Sequence, residues 1–148
     1  MVPNGDLWFT DQQGDVIGRM TSDGAISQFW IGTFQSRPEA ITPGPDGNVW
    51  FTEGETGQIG RISPTGVVAH FSLSGTASEP LGIVIGPDGN LWFTEYGGNE
   101  IGFITASGAV VEYPIPTSYP RPWGITVGPD GNLWFTEYGA NAIGRMSL

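Results

Sequence analysis

Apolar and polar residues along this chain form short runs of about five positions, separated by turn clusters. Leu91-Trp92-Phe93 is apolar on both sides of a pleat, which predicts a strand covered on both faces. Val111-Glu112-Tyr113 alternates instead, which predicts a strand with one face in water. Helical spacing is absent, and recurrent Pro-Asp-Gly turns would break any helix. The last stretch shows the unit most clearly. Pro122-Trp123-Gly124-Ile125-Thr126-Val127 (strand A) leads through the turn Gly128-Pro129-Asp130-Gly131 into Asn132-Leu133-Trp134-Phe135-Thr136-Glu137 (strand B). Tyr138-Gly139-Ala140-Asn141 turns the chain into Ile143-Gly144-Arg145-Met146 (strand C). An earlier copy continues into Ala109-Val110-Val111-Glu112-Tyr113 (strand D).

The unit repeats. Trp8, Trp50, Trp92 and Trp134 stand at steps of 42, and residues 86–97 and 128–139 are identical, as after a recent duplication or by design. Four short strands per repeat of this length predict an all-β fold, a β-propeller of four-stranded blades. A β-helix or flat array is the alternative, but a β-helix coil usually lacks three hairpin turns per repeat. The quotient 148/42 is about 3.5. In strand phase the chain reads B-C-D, A-B-C-D, A-B-C-D, A-B-C, or 14 strands in one segment, 1–148. Blade cores are expected near 6–29, 38–73, 80–115 and 122–148. The end blades should expose faces and edges and invite association. The expected partner is a second copy, and a two-fold ring would then have eight blades, four of them three-stranded.

Composition narrows the function. There are 24 Gly and 12 Pro, unlike a helical bundle. Net charge is -10, all five bases are Arg, and there is no Lys, so a nucleic-acid footprint and attraction to an anionic membrane are both missing. No apolar run approaches the ~20 residues of a membrane span. The first residues lack the marks of a signal peptide, which suggests a cytoplasmic location. Without Cys, thiolate chemistry and disulfides are excluded.

The repeat accounts for most ionic residues. Asp46, Asp88 and Asp130 belong to turns and lack the ligand spacing of a calcium loop. The Gly-rich stretches are not followed by Lys-Ser/Thr and are no phosphate loops. Asp11, Glu53, Glu95 and Glu137 close the B strands and could form a carboxylate ring for a cation. Cross-strand pairing with Arg19, Arg61 and Arg145, eight residues on, is the preferred reading. Phe103 occupies the Arg position after Glu95, so Glu95 is expected to be solvated or to have another partner. The grid tryptophans are expected in the core. His70, the only His, aligns with Gln28 and Glu112 and is expected as a solvated outer residue.

The string Gly-Pro-Asp-Gly-Asn-Leu-Trp-Phe-Thr-Glu-Tyr-Gly-Ala-Asn-Ala-Ile-Gly-Arg, residues 128–145, resembles the blade consensus of the virginiamycin B lyase family. The likeness runs along the whole chain. It implies kinship with seven-bladed propellers whose lyases open the lactone of streptogramin B antibiotics by a magnesium-assisted elimination. Such chemistry needs a base and a Lewis acid. In the family, His residues directly after the Pro opening strand A serve as base and helper, and a Glu before one such Pro helps hold the metal. Here those positions read Arg37-Pro38-Glu39, Glu79-Pro80-Leu81 and Arg121-Pro122-Trp123. Glu79 matches the metal-binding Glu. Glu39, Leu81 and Trp123 stand where His is expected, which leaves Glu39 as the sole candidate base, with Arg37 beside it. Tyr119, Arg121 and Trp123 suit ligand contact, although Trp123 could instead plug the channel. The expectation is a ligand-binding or self-assembling propeller segment without catalysis, binding through Arg37, Glu39, Glu79, Tyr119, Arg121 and Trp123. The alternative is a magnesium-dependent carbon–oxygen lyase, active once the ring is assembled.

Overall fold

The computed structural model describes residues 5–75 and 77–148. Among the described residues, fourteen strands form four antiparallel sheets. The first sheet holds β1 (Leu7–Asp11), β2 (Val16–Met20) and β3 (Ile26–Trp30). The second holds β4 (Pro38–Pro43), β5 (Val49–Glu53), β6 (Gln58–Ile62) and β7 (Val68–Ser72). The third repeats it with β8 (Pro80–Ile85), β9 (Leu91–Glu95), β10 (Glu100–Ile104) and β11 (Val110–Pro114). The fourth stops at three, β12 (Pro122–Val127), β13 (Leu133–Glu137) and β14 (Ala142–Met146). Among the described residues no helix is long and apolar enough to cross a membrane.

The sheets stack as blades because strand B has two apolar faces. In β5 and β9 every residue is buried. Trp50, Leu91, Phe93 and Ile83 share one cluster between the second and third blades, while Trp92, Leu133 and Phe135 share the next. The ring of each B-strand Phe lies over a Gly of strand C. A Cβ at Gly102 would sit 2.4 Å from Phe93, so a side chain there would evict the ring.

Threonine ties blade to blade. Thr52 Oγ1 accepts from Ala40 N within its own blade and donates to Leu81 O of the next at 2.8 Å. Thr94 repeats this with Gly82 N and Trp123 O at 2.7 Å. The A strands therefore lie side by side, β4 against β8 and β8 against β12. A Cβ on Gly82 would come within 2.8 Å of Trp123 O, so that approach requires glycine. The converging A strands form the inner wall.

Two expectations are corrected here. Trp134 is only half-buried, because no further blade covers β13. The strand-C arginines do not pair with the acids that close strand B. The register sets Arg61 opposite Trp50 and Glu53 opposite Gln58, so the charges are three rungs apart, roughly 10 Å. Arg19, Arg61 and Arg145 lie over the rings of Trp8, Trp50 and Trp134 at 5.7, 5.3 and 5.9 Å. Arg61 also donates to Asp46 and to Ala106 O of the next blade, and Arg19 pairs with Asp6 and reaches Pro64 O.

Candidate functional site

Each complete strand A carries a β-bulge just after its opening proline. The ladder slips between Pro38 and Ile41, between Pro80 and Ile83, and between Pro122 and Ile125. A bulge re-aims the extra residue, and those residues include Glu39, Leu81 and Trp123. The three line one open cavity of about 290 Å³ on the inner wall, together with Gly82 and Ile125.

The residue before each proline is left-handed: φ is 51° at Arg37, 47° at Glu79 and 44° at Arg121. This conformation is costly for a residue with a Cβ, and hydrogen bonds at the main chain hold it. Their carbonyls accept from Gly54 N, Tyr96 N and Tyr138 N of the following B–C turn. Arg37 N donates to Asp15 Oδ1, and Arg121 N donates to Asn99 Oδ1 at 3.1 Å, each acceptor coming from the preceding blade. Burial pushes the Asp15 carboxyl up, but main-chain donors at Arg37 and Gln35 and the Ser36 hydroxyl outweigh it and hold the group below its ordinary range. Arg37, Glu79 and Arg121 thus project from fixed points.

Two chemically distinct groups result. Around Glu39 the contacts are ionic. Arg37 Nε donates to Glu39 Oε1 at 2.5 Å, Gln12 Nε2 donates to Oε2 at 2.7 Å, and Arg37 also pairs with Glu55 at 2.6 Å. The Glu39 carboxylate holds the Arg37 guanidinium above its usual range. Both oxygens of Glu39 are engaged as acceptors, so it is a poor candidate for proton abstraction. Glu79 lines a neighbouring hollow with Glu55 and Ser78. Among the described residues, the one set of three acids or histidines close enough to share an ion lies elsewhere and omits Glu79. Of the residues that the resemblance implies for a magnesium-assisted elimination, Glu79 is present and the His residues are not.

The other group is aromatic. Arg121 donates to Tyr119 Oη at 2.8 Å and Tyr96 Oη at 3.2 Å, and its guanidinium lies 4.6 Å and 5.3 Å from the two ring centroids. Trp123 packs edge-on against Tyr96 at 5.7 Å and tilted against Tyr138 at 5.8 Å. Trp123 is 51% exposed and Tyr138 67% exposed. The indole therefore forms part of an open wall in this chain. Sequence reasoning missed Gln12, Glu55, Tyr96 and Tyr138. Gln12, Tyr96 and Tyr138 share a grid position, the residue directly after the acid that closes strand B, and that column could have revealed them.

His70 is exposed on strand D, as expected, and it also has a buried partner. Its Nδ1 is hydrogen-bonded to Glu53 Oε1 at 2.7 Å, and Glu53 is fully buried. Burial raises the Glu53 carboxyl, and the His70 contact works against that rise.

The model of the virginiamycin B lyase family matches residues 1–148. The chain belongs to that family. It is 48% identical to the solved virginiamycin B lyase of Staphylococcus aureus, with a TM-score of 0.95, covering 99% of this chain and 50% of that one. A catalytically inactive variant of the Staphylococcus aureus enzyme, solved with quinupristin, matches at 48% identity and a TM-score of 0.95 over 98% of this chain and 50% of that one. A virginiamycin B lyase from Bordetella parapertussis is 45% identical over 42 residues, 28% of this chain and 14% of that protein. This virginiamycin B lyase family chain thus spans about half the length of the solved lyases it matches.

Proposed function

We propose that this chain is a ligand-binding arc of a propeller, which closes its ring with a second copy and performs no lyase chemistry of its own. The observation that carries the reading is the content of the three bulge positions. Glu39 is saturated by Arg37 and Gln12, and Leu81 and Trp123 carry no base. What faces the open side is an aromatic wall around one guanidinium. Such a wall suits a small ligand with aryl and amide groups, a cyclic peptide among them. The uncovered faces of the first and fourth blades support self-association. An apolar hollow lined by Leu7, Trp8, Ile41 and Val49 lies beside β1, an edge strand among the described residues.

A second reading keeps lyase activity in the assembled ring. The 48% identity to the Staphylococcus aureus enzyme favours it. Titration with quinupristin in the presence of magnesium separates the two readings. We expect quenching of tryptophan fluorescence without lactone opening, and a roughly tenfold or greater loss of affinity in Trp123→Ala. Turnover that disappears in Glu39→Gln would refute the non-catalytic reading. Light scattering should report a dimer; a stable monomer at all concentrations would refute ring closure by a second copy.

A further inference from the structure

One position in the repeat has three different solutions. Gln28, His70 and Glu112 are equivalents on strand D, each opposite the glycine of strand C, and the last two stand beside Glu53 and Glu95. In the second blade the buried Glu53 meets His70. In the third blade Glu95, equally buried at 0% exposure, meets another acid, Glu112. A further acid stands at Glu100, directly opposite Glu95 in the β9–β10 ladder. Like charges opposite one another are destabilising in a sheet. Carboxylate oxygens of Glu95, Glu100 and Glu112 lie within 4.8 Å of one another.

The second, independent observation is that Glu95 is orphaned. Among the described residues neither of its oxygens has a hydrogen-bond partner, although both are out of contact with solvent. The Ser78 hydroxyl beside it donates to Gly75 O at 2.9 Å instead. Glu112 is anchored from the far side by Ser74 N at 3.0 Å and by the Ser74 hydroxyl. A fully buried carboxylate without a donor needs a proton or a cation.

We propose that Glu95, Glu100 and Glu112 form a binding site for one divalent cation of the calcium class within the third blade. The donor set is oxygen only, which suits calcium or magnesium and not zinc. Three carboxylates at one largely buried centre favour calcium, because Mg²⁺ keeps several waters and is usually held by one or two carboxylates. Burial, together with the charges of Glu112 and Glu100, pushes the Glu95 carboxyl up to about 8. Glu39, Leu81 and Trp123 are not among its ligands, although Glu95 adjoins Tyr96 of the aromatic wall.

The test is calorimetric titration and thermal melting of the full chain with calcium and with magnesium, after chelation. One calcium per chain is expected, with a Kd of about 1 mM or below and a melting temperature that rises with calcium concentration. Glu112→His, which copies the second blade, should fold and lose the response. Glu100→Gln, a milder change, should weaken binding at least several-fold. No saturable calcium binding by the folded wild type would overturn the proposal. So would an undiminished response in both variants, or a stronger response to magnesium than to calcium.

Discussion

Residues 86–97 and 128–139 have the same sequence and live in different surroundings. In the third blade Leu91–Glu95 is buried throughout; in the fourth Leu133–Glu137 has Thr136 exposed and Trp134 half-covered. Trp92 is 3% exposed. Local structure is nonetheless unchanged. Each segment forms strand B with the same ladder to strand C, and each tryptophan donates its indole N–H to the turn aspartate. The hairpin is therefore specified by its own twelve residues, whereas its burial is supplied by the neighbouring blade. A propeller sequence encodes blades locally and stability between blades, as in other repeat architectures.

The largest expected effect breaks this comparison at the tryptophans. Trp92→Ala removes a side chain packed with Leu133 and Phe135 and should cost about 3–5 kcal/mol. Trp134→Ala, losing a half-exposed ring, should cost about 1–2 kcal/mol in the monomer. Denaturant unfolding at several protein concentrations checks both. If a second copy covers the fourth blade, the cost of Trp134→Ala should rise with concentration towards that of Trp92→Ala. Equal costs at every concentration would mean that β13 is already covered.

The same comparison explains what was legible beforehand. Strand identity, order and phase followed from the spacing of Trp8, Trp50, Trp92 and Trp134 and from the turns, because hairpins depend on nearest neighbours. The left-handed residues before each proline and the bulges after it were not visible. Arg37 and Arg121 adopt positive φ with their main chain bound by Asp15 and Asn99 of the preceding blade, and Glu79 with its carbonyl bound by Tyr96 N of its own B–C turn. The acids after strand B were misassigned for a related reason. A separation of eight residues looks like adjacency in a hairpin, but the pairing at Glu53 is set by a tight turn that places Gln58 opposite. Tyr96 and Tyr138 escaped notice because they occupy turns; the β12–β13 ladder, which sets Pro122 opposite Glu137, brings Tyr138 to Trp123, and the approach of adjacent A strands brings Tyr96.

A smaller effect should appear at the threonines. Thr94 is fully buried, accepts from Gly82 N and donates to Trp123 O. Thr94→Val leaves an amide and a carbonyl without their partner and should cost about 1–3 kcal/mol. Thr136 accepts from Gly124 N and is exposed. Thr136→Val should fall within about 0.5 kcal/mol of wild type. Thermal melts of the two variants side by side measure the inter-blade bond, because the residue and its strand are otherwise the same. A Thr136→Val cost matching that of Thr94→Val would show that another blade accepts its hydroxyl proton.

The smallest effect concerns acid. Burial pushes the Asp88 carboxyl up, but hydrogen bonds from Trp92 and Asn90 outweigh it and leave the group below its ordinary value. Asp130, with its counterparts Asn132 and Trp134 and little burial to oppose them, is held at about 2. Both values lie below the unfolded value of 3.8, so the associated stability is present above pH ~3.8 and is lost as pH falls through the folded value. Carboxyl-carbon NMR titration should find Asp130 protonating at lower pH than Asp88, despite identical flanking sequence. Asp130→Asn should make the acid limb of the stability curve slightly shallower down to pH ~2, with no change near neutrality. Covering the fourth blade with a second copy would bury Asp130 as Asp88 is buried and raise its titration point towards that of Asp88. The gap between the two aspartates therefore closes on assembly, and it persists if the fourth blade stays open to solvent.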